Sequence, residues 1–135
     1  MKKSYLFINT VNEKHPSLVV FNGRGDFLFS EKFIPKQEKI IEKLKALLKK
    51  AKIKKDGISG ILVIEGPGSF SGSRAGITLA NSFNFLFKTP ILGVKDADGS
   101  VEEQINNNLE KLKKIKLSSQ AEAYYKYPPN ITTKK

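Results

Sequence analysis

The chain has 135 residues, no cysteine, 24 lysines and arginines against 13 aspartates and glutamates, and a formal net charge of +11 with an isoelectric point near 9.8. A chain of this length without repeats is expected to form one small domain with a real core, and the lack of cysteine excludes disulfides, thiolate metal sites and thiol nucleophiles. The positive balance favours polyanionic partners such as RNA, the alternative being a set of lysine-rich, solvated helices.

Met1-Lys2-Lys3-Ser4 runs straight into a strand-like segment, with neither a long apolar core nor a small-residue cleavage site. No stretch approaches a membrane span, so a cytoplasmic protein without a membrane partner is expected. Tyr5 to Ile8 reads as the first strand, followed by Asn9-Thr10 and a polar turn through Val11 to Pro16. Ser17 to Phe21 reads as the second strand, Asn22-Gly23 as a hairpin signal, and Asp26 to Phe33 as the third strand. Arg24-Gly25-Asp26 spells a cell-adhesion tripeptide but is read as turn chemistry. His15, the sole histidine, precedes a proline in a loop and has no second metal-binding side chain beside it, so its role is structural or neutral. Phe27, Phe29 and Phe33 alternate along the third strand, either as a platform for RNA bases or as core residues.

From about Lys36 to Lys52, the residues Ile40, Ile41, Leu44, Leu47, Leu48 and Ala51 fall on one helical stripe, with the lysines elsewhere. Lys54-Lys55-Asp56-Gly57 ends this helix, and Gly60 to Ile64 reads as a strand buried on both faces. Next comes EGPGSFSGSRAG, Glu65 to Gly76, with four glycines, a proline and three serines in twelve residues, too many for the interior of an element. A second helix is expected from about Gly72 to Lys88, ending before Thr89-Pro90. Ser69, Ser71 and Ser73 are candidate caps for it, with Arg74 in its first turn.

Such a helix start can hold an anion, yet the spacing is neither a P-loop, which needs a lysine after the last glycine, nor GxGxxG. The alternative is that the glycines only bring helix and sheet close together, and Glu65 at the strand end opposes an anion. At 100° per residue Ala75, Leu79, Ala80, Phe83, Leu86 and Phe87 form an apolar arc to cover the sheet. Phe85 falls outside it, beside Thr78, Asn81 and Ser82, where it is covered by the neighbouring helix or left for a partner; packing within the chain is the reading that composition favours. Ile91 to Val94 reads as the last strand. Ser100-Val101-Glu102-Glu103 has capping-box spacing, and Val101, Ile105, Leu109 and Leu112 carry a helix to about Lys114. The tail from Ser118, with Tyr124, Tyr125, Tyr127, Pro128 and Pro129, is expected to fray.

The segment GPGSFSGSRAG, Gly66 to Gly76, followed by a helix and then TPILGV, Thr89 to Val94, resembles the signature GPGSFTGLR…IPLVGV of the TsaB (YeaZ) family. That family is the non-catalytic partner in bacterial tRNA threonylcarbamoyladenosine synthesis. The resemblance implies one half of an actin-like (ribonuclease H-like) fold. The expected fold class is α/β, a five-stranded mixed sheet with three antiparallel then two parallel strands, packed by helices. Relatives carry two such halves, and the pattern here covers the first, roughly residues 4 to 97. The closing AEAYYKYPPNITTKK resembles the family's C-terminal end. The expected organisation is an actin-like domain over 1–97, a C-terminal helix over 98–117 and a tail over 118–135, as in a minimised family member.

The resemblance also implies a function. TsaB does not transfer the threonylcarbamoyl group itself; it pairs with the TsaD ligase, mainly through helices of its first domain, and the ATPase TsaE joins the pair. The implied loop motif is Gly66, Pro67, Gly68, Ser69, Phe70, Ser71, Gly72, Arg74 and Gly76, which fixes the second helix with Arg74 anchoring its first turn. The implied partner surface is Ile41, Leu48, Thr78, Asn81, Ser82 and Phe85. No catalytic residue, metal or cofactor is implied. Any contact with tRNA is indirect or weak, through the basic surface, and the same helices would form a homodimer in the absence of a ligase.

Three departures from the family pattern bear on catalysis. Asn9-Thr10 stands where the first strand commonly ends in Asp-Thr, and an amide lacks the charge to position a metal-bound water. Ile34-Pro35-Lys36 stands near the family's His-Ser, and the second half, one wall of any nucleotide cleft, has no counterpart. Each counts against catalysis and none against binding. Two other readings compete: a small nucleotide hydrolase using the glycine loop with Glu65, Asp96 and Asp98, and an RNA-binding domain acting alone.

Overall fold

A computed structural model describes residues 3–11, 17–32, 39–66, 70–96 and 100–115. Eight main elements follow one another: β1 (Ser4–Asn9), β2 (Ser17–Asn22), β3 (Phe27–Lys32), α1 (Ile40–Ala51), β4 (Ile58–Gly66), α2 (Phe70–Phe87), β5 (Ile91–Lys95) and α3 (Val101–Lys114). The strands form one sheet of order β3-β2-β1-β4-β5, in which β1, β2 and β3 pair antiparallel while β1, β4 and β5 run parallel. This is the α/β class and the mixed sheet expected from the sequence.

The two strands with continuous apolar runs are the central ones. Leu6, Phe7 and Ile8 of β1, and Ile61, Leu62 and Val63 of β4, have no exposed surface, because helices cover both faces of the sheet. On one face α1 and α2 pack over Leu6, Ile8, Leu18, Val20, Ile61 and Val63. On the other, α3 lays Ile105 and Leu112 over Tyr5, Phe7, Phe21, Leu62 and Ile64. Tyr5 stacks on Phe21 with ring centroids 5.6 Å apart, and burial pushes its hydroxyl above the ordinary tyrosine pKa.

The helix ends have local causes. The C-cap of α1 is Lys52, in the left-handed region at φ 58°, and its amide bonds back to the carbonyls of Leu48 and Lys49. At the start of α3, Ser100 Oγ accepts from the Glu103 amide at 3.1 Å and the Glu103 carboxylate accepts from the Ser100 amide at 3.0 Å, the reciprocal pair that the sequence announces. The hairpin between β2 and β3 is closed by Asn22, whose side-chain oxygen accepts from the amides of Arg24 and Asp26 at 2.9 and 3.0 Å. The tripeptide of residues 24–26 is therefore part of a turn.

One expectation for β3 fails. A register shift between Val20 and Phe21 sets Phe29 opposite Val20 and Phe27 opposite Phe21, and those two partners belong to opposite faces of the sheet. Directly paired residues share a face, so the bulge sends Phe27 and Phe29 to opposite sides. They do not form one stacking platform. Phe33, His15, Asp98 and the tail from Ser118 lie outside the described residues.

Candidate functional site

The glycine motif turns out to be mostly helix. Since α2 begins at Phe70, two residues earlier than expected, Ser71, Gly72 and Ser73 are inside it, and neither Ser71 nor Ser73 is a cap. Arg74 is its fifth residue, beyond the first turn, and is exposed. Pro67, Gly68 and Ser69 lie outside the described residues, as do the side chains of Phe70, Ser71 and Ser73. At the strand side of the junction, Gly66 has φ 133°, a conformation that a residue with a Cβ rarely takes. Its carbonyl accepts from the Asp96 amide at 2.6 Å, which ties the loop to the end of β5.

Gly76 makes the close contact between α2 and the sheet. Its amide donates to Thr10 Oγ1 at 2.9 Å, and a Cβ there would sit 2.8 Å from that oxygen and 3.0 Å from Ile8 Cγ2. Both positions, Gly76 and the fully buried Ala80 one turn later, are small because the helix axis lies close to β1 and β4. The motif thus sets the height and rotation of α2 over the sheet.

That rotation decides what faces outward. Ile77, Leu79, Ala80, Phe83 and Asn84 are buried, whereas Phe85 is 77% and Leu86 64% exposed. The buried arc is therefore rotated from the expected one. It takes in Ile77 and Asn84 and leaves Ala75 and Leu86 outside. The Asn84 side chain donates to the Thr89 carbonyl at 3.0 Å and so closes the helix end. Phe85 is not covered by a neighbouring helix, contrary to the reading that composition favours.

Between α1 and α2 runs a cleft of about 140 Å³ whose walls include Ile41, Leu44, Leu48, Ser82, Phe83 and Leu86. Toward the amino ends of both helices it meets a wider groove of about 410 Å³ beside Ile40, Ile41, Arg74, Thr78 and Ser82. Among the described residues neither is lined by a carboxylate. Ile41, Thr78, Ser82 and Phe85 stand on or beside this surface, and Asn81 is half-buried next to it. Leu48 does not present itself: it is 4% exposed and packed in the core, so it forms only the floor of the cleft. Leu86 and Ile40 were not among the expected surface residues. In a helical projection Leu86 sits at the rim of the apolar arc, and only the close approach at Gly76 places it outside.

The carboxylates near the loop do not converge. The Glu65 carboxylate lies over Gly93, where a Cβ would collide with it. Gly93 pairs with Val63, a residue of the face covered by α1 and α2. The Asp96 carboxylate instead accepts from the side-chain amide of Gln104 in α3 at 3.2 Å, on the other face. Asn9 is buried and its side-chain oxygen accepts from the Val11 amide at 3.1 Å. Among the described residues no group of three or more His, Asp or Glu could hold a metal ion, and no helix is long and apolar enough to cross a membrane.

A mixed sheet with three meandering strands, followed by a parallel β-α-β unit with a glycine-rich junction, defines this chain as an actin-like α/β domain. The family model described as TsaD, tRNA N6-adenosine threonylcarbamoyltransferase, matches residues 35–113, more than half of the chain, and the chain belongs to that family. It is TsaB (YeaZ)-like within it. The structure titled YeaZ from Pseudomonas aeruginosa aligns with TM-score 0.60 and 24% identity over 70% of this chain and 43% of its own. A second, titled an uncharacterized protein with similarity to peptidase YeaZ from Pseudomonas aeruginosa, aligns with TM-score 0.61 and 26% identity over 70% of this chain and 44% of its own. The chain thus spans less than half of the length of either. Among curated proteins, none matches.

Proposed function

We propose that the chain is a non-catalytic scaffold subunit that binds a TsaD-like ligase through α1 and α2 and supports threonylcarbamoylation of tRNA next to the anticodon. The observation that carries this reading is the exposed pair Phe85 and Leu86 on α2, with Leu86 lining a largely apolar groove between two helices that has no carboxylate among its described residues. Two large side chains left in water each forgo about 1.5–3 kcal/mol of burial, which a partner recovers. The family match and the glycine junction that sets the rotation of α2 support the same reading. The separation of Glu65 from Asp96 on opposite faces, and the tie between the Asn9 side chain and the backbone, support an accessory role over hydrolysis.

A TsaE-like ATPase is the third member of the assembly in this reading, the setting is the cytoplasm, and no cofactor is carried by this chain. Two copies would meet through the same helices when no ligase is present. The second reading, a small nucleotide- or RNA-binding domain acting alone, draws on the +11 charge.

The test is co-purification with the TsaD-like ligase of the same source and a threonylcarbamoylation assay with and without this chain. Phe85→Ala is expected to weaken association by about 2 kcal/mol or more, while leaving the unfolding free energy measured in urea within about 0.5 kcal/mol of wild type because the side chain is exposed. Failure of the wild-type chain to associate with the ligase or to raise its activity would sink the scaffold reading. Association unchanged in both Phe85→Ala and Leu86→Ala would remove this helix face as the contact.

A further inference from the structure

The positive charge is concentrated in one part of the fold. Residues 39–56, which cover α1 and the turn after it, carry eight lysines against Glu42 and Asp56, a net +6 of the chain's +11. Residues 100–115, which cover α3, carry three lysines against three glutamates and are neutral. An exposed helix face needs charge for solubility, but not charge of one sign, since like charges one turn apart repel. Solvation alone accounts for α3 and does not account for α1.

Two backbone reversals gather these lysines. At Lys52 the left-handed C-cap turns the chain back on α1, which brings Lys54 and Lys55 against its last turns. The carboxyl end of α2 arrives beside them, closed by Lys88 at φ 59°. The result is an open groove of about 390 Å³ rimmed by Lys45, Lys49, Lys54 and Lys55, with Leu48 and Phe87 in its wall. Among the described residues Asp56 is the one carboxylate lining it. Among the described residues none of the four lysines makes an ion pair, whereas Lys50, outside the groove, reaches Glu31 at 3.1 Å. The negative end of the α1 dipole explains a lysine in the last turn, where its influence ends. Lys45 precedes that turn, and Lys54 and Lys55 lie beyond it.

We infer that this groove binds the phosphodiester backbone of an RNA. Four ammonium groups around one concavity match a chain of regularly repeated anions better than a single carboxylate or phosphate, which one or two would satisfy. Lysine, a point charge on a flexible stem, suits contacts that position a nucleic acid without reading its bases. The ring of Phe87, held edge-to-face against Phe83 at 5.3 Å, adds a half-buried aromatic surface beside the cations. The choice of RNA over other polyanions rests on the role in tRNA modification proposed above. The groove shares Lys45, Leu48, Lys55 and Phe87 with the cleft between α1 and α2, so RNA held there runs along the rim of the surface assigned to the ligase.

The test uses the full chain and an unmodified tRNA transcript, with binding followed by fluorescence anisotropy across about 50–300 mM salt. The pair Lys54→Glu and Lys55→Glu is expected to lower affinity about tenfold or more and to flatten the slope of log affinity against log salt by about 1.5. The pair Lys111→Glu and Lys113→Glu on α3 makes the same change in net charge and is expected to stay within about threefold of wild type. Where charge reversal disturbs the far-ultraviolet spectrum, Lys54→Ala with Lys55→Ala is read in the same way. Equal losses from the two pairs, or an unchanged salt slope in the groove variant, overturn the assignment. Ligase association is measured in parallel to keep the two readings apart. Binding of tRNA that depends on Lys54 and Lys55 in a chain with no affinity for the ligase would uphold the groove and sink the scaffold.

Discussion

Gly76 carries more of the architecture than its size suggests. As the seventh residue of α2 it costs the helix about 1 kcal/mol relative to alanine, and on propensity alone Gly76→Ala would stabilise. The contacts argue the other way, because the new Cβ would meet Thr10 Oγ1 at 2.8 Å and Ile8 Cγ2 at 3.0 Å. Both atoms belong to short side chains at the buried end of β1 and cannot swing aside. Overpacking of this kind costs about 1–3 kcal/mol, so the expected net loss is about 1 kcal/mol, measured as a fall in the urea midpoint. Removing the opposing oxygen with Thr10→Ala is expected to make the double variant less damaged than the sum of the singles. A strictly additive cycle would mean that α2 does not touch β1 at this point.

Among the elements, α3 was the most legible and α2 the least. The start of α3 is written in four consecutive residues, Ser100 to Glu103, whose hydrogen bonds need nothing from the rest of the fold. Ser100→Ala is expected to cost about 1 kcal/mol and to show first as faster amide exchange in α3, with β1 and β4 unchanged. The face of α2 could not be read in the same way. A helical projection counts apolar side chains and so assigned Leu86 to the sheet, whereas the sheet is approached through Gly76 and Ala80, where small size matters more than hydrophobicity. The helix start was misplaced for a related reason: glycines and serines that read as loop are compatible with helix once the strand end is fixed by Gly66 and Asp96. On β3 the alternation of Phe27 and Phe29 was visible, but the bulge that separates their faces depends on the partner strand and is not. Legibility thus followed locality. Caps and central strands were plain from sequence, and the exposure of Leu86 became apparent only with the packing.

At the scale of the whole molecule, the same charge acts on folding and on binding with opposite sign. The ion pairs among the described residues include Arg24–Asp26, Lys50–Glu31 and Lys113–Glu110, each with at least one exposed partner, and pairs of this kind contribute little. Against them stand the lysines of residues 39–56, held together by folding at a net +6. In the compact state this self-repulsion destabilises; at about 0.15 M salt the screening length falls to about 8 Å, and much of it is relieved. Added sodium chloride is therefore expected to raise the unfolding free energy measured in urea by about 0.5–1 kcal/mol between low and physiological salt. Lys54→Ala with Lys55→Ala should be at least as stable as wild type at low salt and should respond less to the addition. Urea is the required denaturant, since guanidinium chloride would supply the screening itself. A midpoint that falls with salt would mean that ion pairs outweigh lysine repulsion, and that the clustered charge is compensated within the chain and not held for a polyanion.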